Sequence, residues 1–385
     1  MTDKLDVIVF GATGFTGRLV VDYLVRSAPP GVRWGIAGRR KEKLDEIAEE
    51  VRAAQGPVIE TFVASIDDPN ALAEMTRCTR VLLTTVGPYA RYGEPVVRAC
   101  IASGTDYVDI TGEPDFVDGL LLRHDAAARD KGVRIVNCCG FDSIPHDLGA
   151  LFTVQQIGKD APITLEGFVQ ARGAISGGTW HSAVNAFSDL SEMRRTAKVS
   201  RGPQGERIGS VKPRVYYERA IGGWAVPMPT IDPQIVLRSA RALDVYGSRF
   251  RYGHYLRMKS LAGVAGLGLS IGAVVALAQL PVTRDLLLKW KQPGEGPDAL
   301  EREQNFFKVT FIGKSEGHTV TTRVSGGDPG YGETAKMIAE SALCLALDRE
   351  RLPASSGILT TAVAMGDVLI GRLQKAGIKF EVVST

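Results

Sequence analysis

The densest chemical signal lies near the start of the chain. Gly11, Ala12, Thr13, Gly14, Phe15, Thr16 and Gly17 follow directly on a short apolar run at residues 6–10. A strand that ends in G-x-x-G-x-x-G and opens a helix is built to hold a diphosphate. Gly11 permits the tight turn. Gly14 lets the backbone approach the ligand with no Cβ between them, and Gly17 lets the helix pack closely on the strand. The N–H groups of that helix terminus then face the anion. About 20 residues further on, a dinucleotide site with a free ribose carries an Asp or Glu. Here stand Ala37, Gly38, Arg39 and Arg40, with Lys43 one turn later. An acid would repel a 2′-phosphate, whereas Arg39 can grip one with two parallel hydrogen bonds. Cations at a helix start are also unfavourable unless an anion sits there. The expected cofactor is NADP.

The elements that must position this turn read as alternating strand and helix. Strands are expected at 6–10, 32–37, 58–63, 81–86, 107–110 and 133–136, with helices at 15–26, 41–54, 95–103 and 116–131. Such alternation implies right-handed crossovers and a parallel sheet covered on both faces. Ligands then lie beyond the carboxyl ends of the strands. On that logic Ser65 and Asp67 border the adenine, and Val86, Gly87 and Pro88 border the nicotinamide ribose. Gly112, Phe141 and Asp142 close the remaining strand ends.

After residue 152 the pattern changes to longer strands with separate helices. Strands at 163–171, 306–312 and 318–324, and helices at 178–198, 331–347 and 358–374, suggest an α+β second domain. Residues 200–235 are expected to be loops. The fold class is therefore α/β: an N-terminal Rossmann-type parallel sheet at 1–150, then an α+β substrate and dimerisation domain at 151–352. A C-terminal helix and strand at 353–385 are expected to pack back on the first domain. A homodimer through edge strands is a further expectation.

Residues 260–283 carry no charge, which is long enough for a bilayer span. Both flanks are basic, with Arg257 and Lys259 before and Arg284, Lys289 and Lys291 after, so no charge asymmetry sets an orientation. A spanning helix, a core helix, and a hairpin in the bilayer interface or lining an acyl-chain pocket all remain open. The overall composition excludes other classes. The chain has 385 residues, 44% of them hydrophobic, and a net charge of +3, which gives no reason to expect nucleic acid. Five scattered cysteines without CxxC form neither a disulfide framework nor a zinc site and suit a reducing cytosol. The histidines fall at no metal-ligand spacing, so no metal is expected.

Together, GATGFTG (11–17), AGRR (37–40), VGPY (86–89), GFDSIPHD (140–147) and GGDPGYGETAK (326–336) make the chain resemble the saccharopine dehydrogenase-like oxidoreductases. Within that group it is most similar to the trans-acting enoyl reductases of actinobacterial lipid synthesis. The resemblance implies reduction of an α,β-unsaturated acyl thioester, presented by a polyketide synthase carrier domain, in the making of phthiocerol-type lipids. A related branch associates with lipid droplets, and a cytoplasmic protein peripheral on the inner face of the plasma membrane follows. The alternative is a dehydrogenase or imine reductase acting on a small polar substrate.

Conjugate reduction needs donors aimed at the thioester oxygen, where charge develops, and an acid for the α-carbon. Tyr89, Tyr92, Ser143 and His146 are the candidates near the nicotinamide, with Tyr89 first. Asp142 is expected to orient a neighbour or cap the helix near Pro145. The stretch 328–336 is expected either to close over substrate, with Tyr331 as the catalytic candidate, or to be a plain turn from which Thr334 begins a helix.

Overall fold

The computed structural model describes residues 4–173, 180, 184, 207–290 and 299–384. In chain order its elements begin with β1 (Leu5–Phe10), α1 (Phe15–Ser27), β2 (Trp34–Gly38), α2 (Lys41–Ala53), β3 (Glu60–Val63), α3 (Pro69–Arg77), β4 (Thr79–Thr84), α4 (Tyr89–Ser103), β5 (Asp106–Asp109), α5 (Pro114–Asp130) and β6 (Arg134–Val136). Then come α6 (Ile144–Ile157), β7 (Ile163–Arg172), β8 (Ile208–Ser210), β9 (Tyr216–Glu218), β10 (Gly223–Pro227), α7 (Asp232–Ala242), β11 (Phe250–Met258), α8 (Leu261–Ala278), α9 (Pro281–Trp290) and α10 (Ala299–Glu303). The chain closes with β12 (Phe306–Ser315), β13 (His318–Gly326), α11 (Gly332–Leu347), β14 (Gly357–Leu359), α12 (Thr361–Ala364), α13 (Gly366–Lys375) and β15 (Lys379–Ser384).

The chain forms two compact units, Met1–Phe141 with Tyr331–Ala376, and Asp142–Gly330 with Gly377–Thr385. In the first, seven strands form a parallel sheet in the order β14-β6-β5-β4-β1-β2-β3. β1 buries all six of its residues, the signature of a strand covered on both faces. It pairs on one side with β2 (Val7 opposite Trp34) and on the other with β4 (Val7 opposite Val81). The order therefore reverses at β1, and the switch point falls at the carboxyl end that carries the glycine turn. α2 buries Leu44, Ile47 and Val51, one face of a 3.6-residue repeat. α11 is buried along nearly its whole length against β1, β4, β5 and α1.

In the second unit eight strands form a mixed sheet, β15-β13-β12-β7-β11-β10-β9 with β8 on β11. β12 and β13 make an antiparallel hairpin around Glu316 and Gly317. α6 lies so close on this sheet that a Cβ on Gly149 would stand 2.3 Å from the Phe311 ring.

Several expectations change. The break lies at 141/142 rather than 150, because α6 packs on the second sheet. Residues 331–376 belong to the first unit, while β15 pairs with β13 in the second. The helix expected over 358–374 starts later. Ile358 sits in β14, paired with Ile135, and Met365 separates α12 from α13, which opens on Gly366 at φ +46. Within 207–235, expected as loops, lie β8, β9, β10 and the start of α7. The helix expected at 178–198 falls mostly outside the described residues.

The apolar stretch forms α8, and it is not a core helix: only 6% of it is buried. Nor is it a single crossing. β11 before it and β12 after it flank β7 in one sheet, so the chain returns to the side it left.

Candidate functional site

The glycine turn is held by backbone bonds. Gly11 N donates to Ala37 O (2.9 Å), Gly14 N to Gly11 O (3.0 Å), and Thr85 N to Phe10 O (3.0 Å). Gly11 has φ +95, and a Cβ there would also meet Thr85 Oγ1 at 2.8 Å. A Cβ on Gly17 would stand 2.1 Å from Gly11 O. Gly14 begins α1 without a side-chain cap. These observations fit a diphosphate cradle, in which backbone and the helix terminus meet the anion. Arg39 and Arg40 are both exposed, and neither pairs with an acid among the described residues. Gly38 borders the cradle, since its Cβ position lies 3.6 Å from Thr13 Cγ2. Ala64 N donates to Gly38 O (2.9 Å), which brings Ser65 and Asp67 beside it. Ser65 Oγ accepts from Asp67 N at 3.4 Å.

The loop after β4 reaches the same place: Thr85 Oγ1 donates to Gly11 O (3.3 Å), and Val86 N to Thr84 Oγ1 (3.2 Å). A cis peptide joins Gly87 to Pro88. Tyr89 does not present its hydroxyl to a ligand. It is 5% exposed and donates to Thr84 O at 3.1 Å, and burial followed by nearby Asp109 pushes its pKa well above 10. Tyr89 N and Ala90 N, at the start of α4, donate to the two carboxylate oxygens of Glu113 (3.0 and 2.8 Å). Gly112, next to Glu113, is exposed, and Tyr92 is half-buried beside the Arg91 guanidinium.

Sequence reasoning missed Asp109. This buried carboxylate accepts from Tyr107 Oη (2.9 Å), Asn137 Nδ2 (2.7 Å), Thr111 N (3.1 Å) and Cys138 N (3.0 Å). It thereby fixes the loop after β6, where Cys138 takes φ +63. Burial pushes its pKa up to about 6, against the pull of these donors. Its place at a strand end was legible; Asn137 and Cys138, its donors from the loop after β6, were not. Tyr331 stands at the N-terminal cap position of α11. It is 2% exposed, and its ring meets Phe15 edge-on at 4.8 Å between centroids. Thr334 Oγ1 accepts from Phe141 N at 3.1 Å. The start of α11 thus braces the cofactor turn.

In the second unit Ser143 is fully buried and donates to Asp232 Oδ1 at 3.3 Å. Neither Asp142 nor the Ser143 side chain caps α6, so the expected cap is absent. Asp232 lies between His146 Nδ1 (3.2 Å) and His254 Nε2 (3.4 Å). Burial opposes its charge, yet His146 and then His254 hold its carboxyl well below the usual range. Burial lowers the pKa of His254. Burial and then Asp232 push Asp142 up to about 6, with His146 opposing. No spacing rule links residues 146, 232 and 254, so this cluster leaves no local signature in the chain.

A glycine cradle at the switch point of a parallel sheet, with arginines where a ribose acid would stand, defines an NADP-binding oxidoreductase domain. The Saccharopine dehydrogenase NADP binding domain family matches residues 7–136. A protein of Mycobacterium tuberculosis, provisionally named a trans-acting enoyl reductase, is 35% identical over 412 aligned residues, covering 98% of this chain and 97% of its own. The human Saccharopine dehydrogenase-like oxidoreductase is 31% identical over 418 residues, with the same coverage. A Caenorhabditis elegans protein named Lipid droplet localized protein is 31% identical, covering 94% of each chain. Among solved structures, saccharopine dehydrogenase (L-Glu forming) from Saccharomyces cerevisiae superposes with TM-score 0.56 at 14% identity, over 98% of this chain and 99% of its own. The fold is shared. This chain belongs to the saccharopine dehydrogenase-like oxidoreductases and is an NAD(P)-dependent oxidoreductase that binds NADP.

Proposed function

We propose that the protein is an NADPH-dependent enoyl reductase acting on an α,β-unsaturated acyl thioester of complex lipid synthesis, at a lipid surface. The observation that carries this reading is the α8–α9 pair. α8 is apolar on every side, and the described parts of α9 bury nothing. Leu269, Leu280, Val282, Leu286 and Trp290 are each at least 60% exposed. Water disfavours so much apolar surface, on the order of 25 cal/mol per Å², and large exposed apolar patches mark interaction sites. Arg257 and Lys259 precede the pair, and Arg284 and Lys289 stand on α9 itself, which suits an anionic lipid surface. The names of the mycobacterial and nematode relatives support the same reading. A carrier domain of a polyketide synthase would present the thioester on the cytoplasmic side of the membrane.

When bound, NADPH supplies a hydride to the β-carbon of the acyl chain, and a proton from solvent or protein completes the saturated product. The chain's own contribution is to hold the cofactor. The glycine turn meets the diphosphate, Arg39 selects the 2′-phosphate, and the loop 84–88 sets the far edge.

The test is NADPH oxidation measured against enoyl thioesters of increasing acyl length, with and without anionic vesicles. Turnover should rise with chain length. Oxidation of a keto acid with an amine, and none with any enoyl thioester, would favour the small polar substrate and refute the lipid reading.

A further inference from the structure

We propose that His146, Asp232 and His254 form a binding site for one divalent transition-metal ion inside the second unit. Each residue comes from a different element: His146 from the first turn of α6, Asp232 from the start of α7, and His254 from the middle of β11. All three are buried, and one donor atom from each lies within 4.8 Å of the others. Two imidazole nitrogens and one carboxylate oxygen are the donor set that Zn²⁺, Co²⁺ and Fe²⁺ share. Bonds of ~2.0–2.2 Å about one ion bring such donors to roughly 3–3.5 Å apart. His146 Nδ1 stands 3.2 Å from Asp232 Oδ1 and His254 Nε2 stands 3.4 Å from Asp232 Oδ2, both of that length, so the carboxylate would face the ion with one oxygen toward each imidazole.

The contacts around the three residues are those of an outer shell. His254 Nδ1 lies 3.2 Å from Tyr252 Oη, which leaves Nε2 as the inward atom. That Nε2 approaches Asp232 off the line a hydrogen bond needs. Ser143 and Thr230 donate to the two oxygens of Asp232, fixing its plane. Ligating histidines and carboxylates are held in this way by second partners. Charge points in the same direction. Asp142 stands beside this set, and among the described residues neither Asp142 nor Asp232 pairs with an arginine or lysine.

The ion would tie the starts of α6 and α7 to β11, whatever substrate the enzyme uses. The test uses the full-length protein, stripped with chelator and titrated with Co²⁺. Uptake of about one equivalent, d–d bands in the visible spectrum and a raised melting temperature are expected. His146→Gln and His254→Gln should each lose the bands while keeping NADPH affinity, which reports on the other unit. No bands and no shift in the wild type would overturn the proposal and leave a proton-balanced ion pair. Bands unchanged in both variants would overturn it too, because the ion would lie elsewhere. Should a variant not fold, the paramagnetic NMR spectrum of the wild-type Co²⁺ form decides. Two exchangeable shifted imidazole resonances support the site, and fewer overturn it.

Discussion

Gly17→Ala is the sharpest perturbation of the cofactor cradle. The added Cβ would lie 2.1 Å from Gly11 O, 2.7 Å from Gly11 C and 2.9 Å from Ala12 Cα. All three are backbone atoms, so no side chain can swing away. Relief requires about 1 Å of separation between the turn and α1, a form of overpacking that costs ~1–3 kcal/mol. The same movement withdraws the helix terminus from the diphosphate. Losing one hydrogen bond to a charged group costs ~1.5–3 kcal/mol, which is roughly a 10- to 150-fold rise in Kd. Gly14→Ala is the internal control, because its Cβ would lie 3.3 Å from Gly11 O and needs only a small adjustment. The assay is fluorescence titration with NADPH beside urea unfolding of each variant. Gly17→Ala should lose both affinity and stability, and Gly14→Ala should lose less stability. A Gly17→Ala protein with wild-type affinity and stability would refute the cradle.

Arg39→Ala should weaken NADPH by on the order of tenfold or more while leaving NADH unchanged, as separate titrations would show, since the residue is exposed and free to meet a 2′-phosphate. Asp109 makes a pH prediction of defined sign. Its folded pKa is raised from 3.8 to about 6, so the folded state holds the extra proton. Its contribution to stability is greatest below about pH 4 and is lost as pH rises through 6. In urea titrations the wild type should lose up to ~3 kcal/mol over that window relative to Asp109→Asn, and parallel pH profiles would sink the assignment. Leu269→Asp in α8 places a charge on a wholly apolar helix. Burying it in lipid costs ~3 kcal/mol, so partitioning into anionic vesicles should fall about a hundredfold; unchanged co-sedimentation would refute lipid contact. Glu113→Ala should destabilise the first unit by roughly 1–3 kcal/mol in the same unfolding assay, because it uncaps both Tyr89 N and Ala90 N.

The local code determined a good deal of this protein. Continuous apolar strands, glycines at fixed offsets and the arginine pair are short-range features, so β1, the turn and the NADP preference were legible in a few adjacent residues. The parallel sheet followed from alternation, because such units join through right-handed crossovers. What the sequence could not give depends on pairs far apart in the chain. It could not show that α11 returns to the first sheet to place Tyr331 against Phe15. Nor could it show that Tyr89 turns inward to Thr84 O, or that His146 and His254 converge on Asp232. It left the apolar stretch open between core, span and surface, since composition reports only what a helix avoids. Burial excluded the core, and the sheet excluded a single crossing, because β11 and β12 both border β7 and the chain between them must come back. Backbone conformation answers to neighbours in sequence, whereas burial and the meeting of side chains answer to neighbours in space.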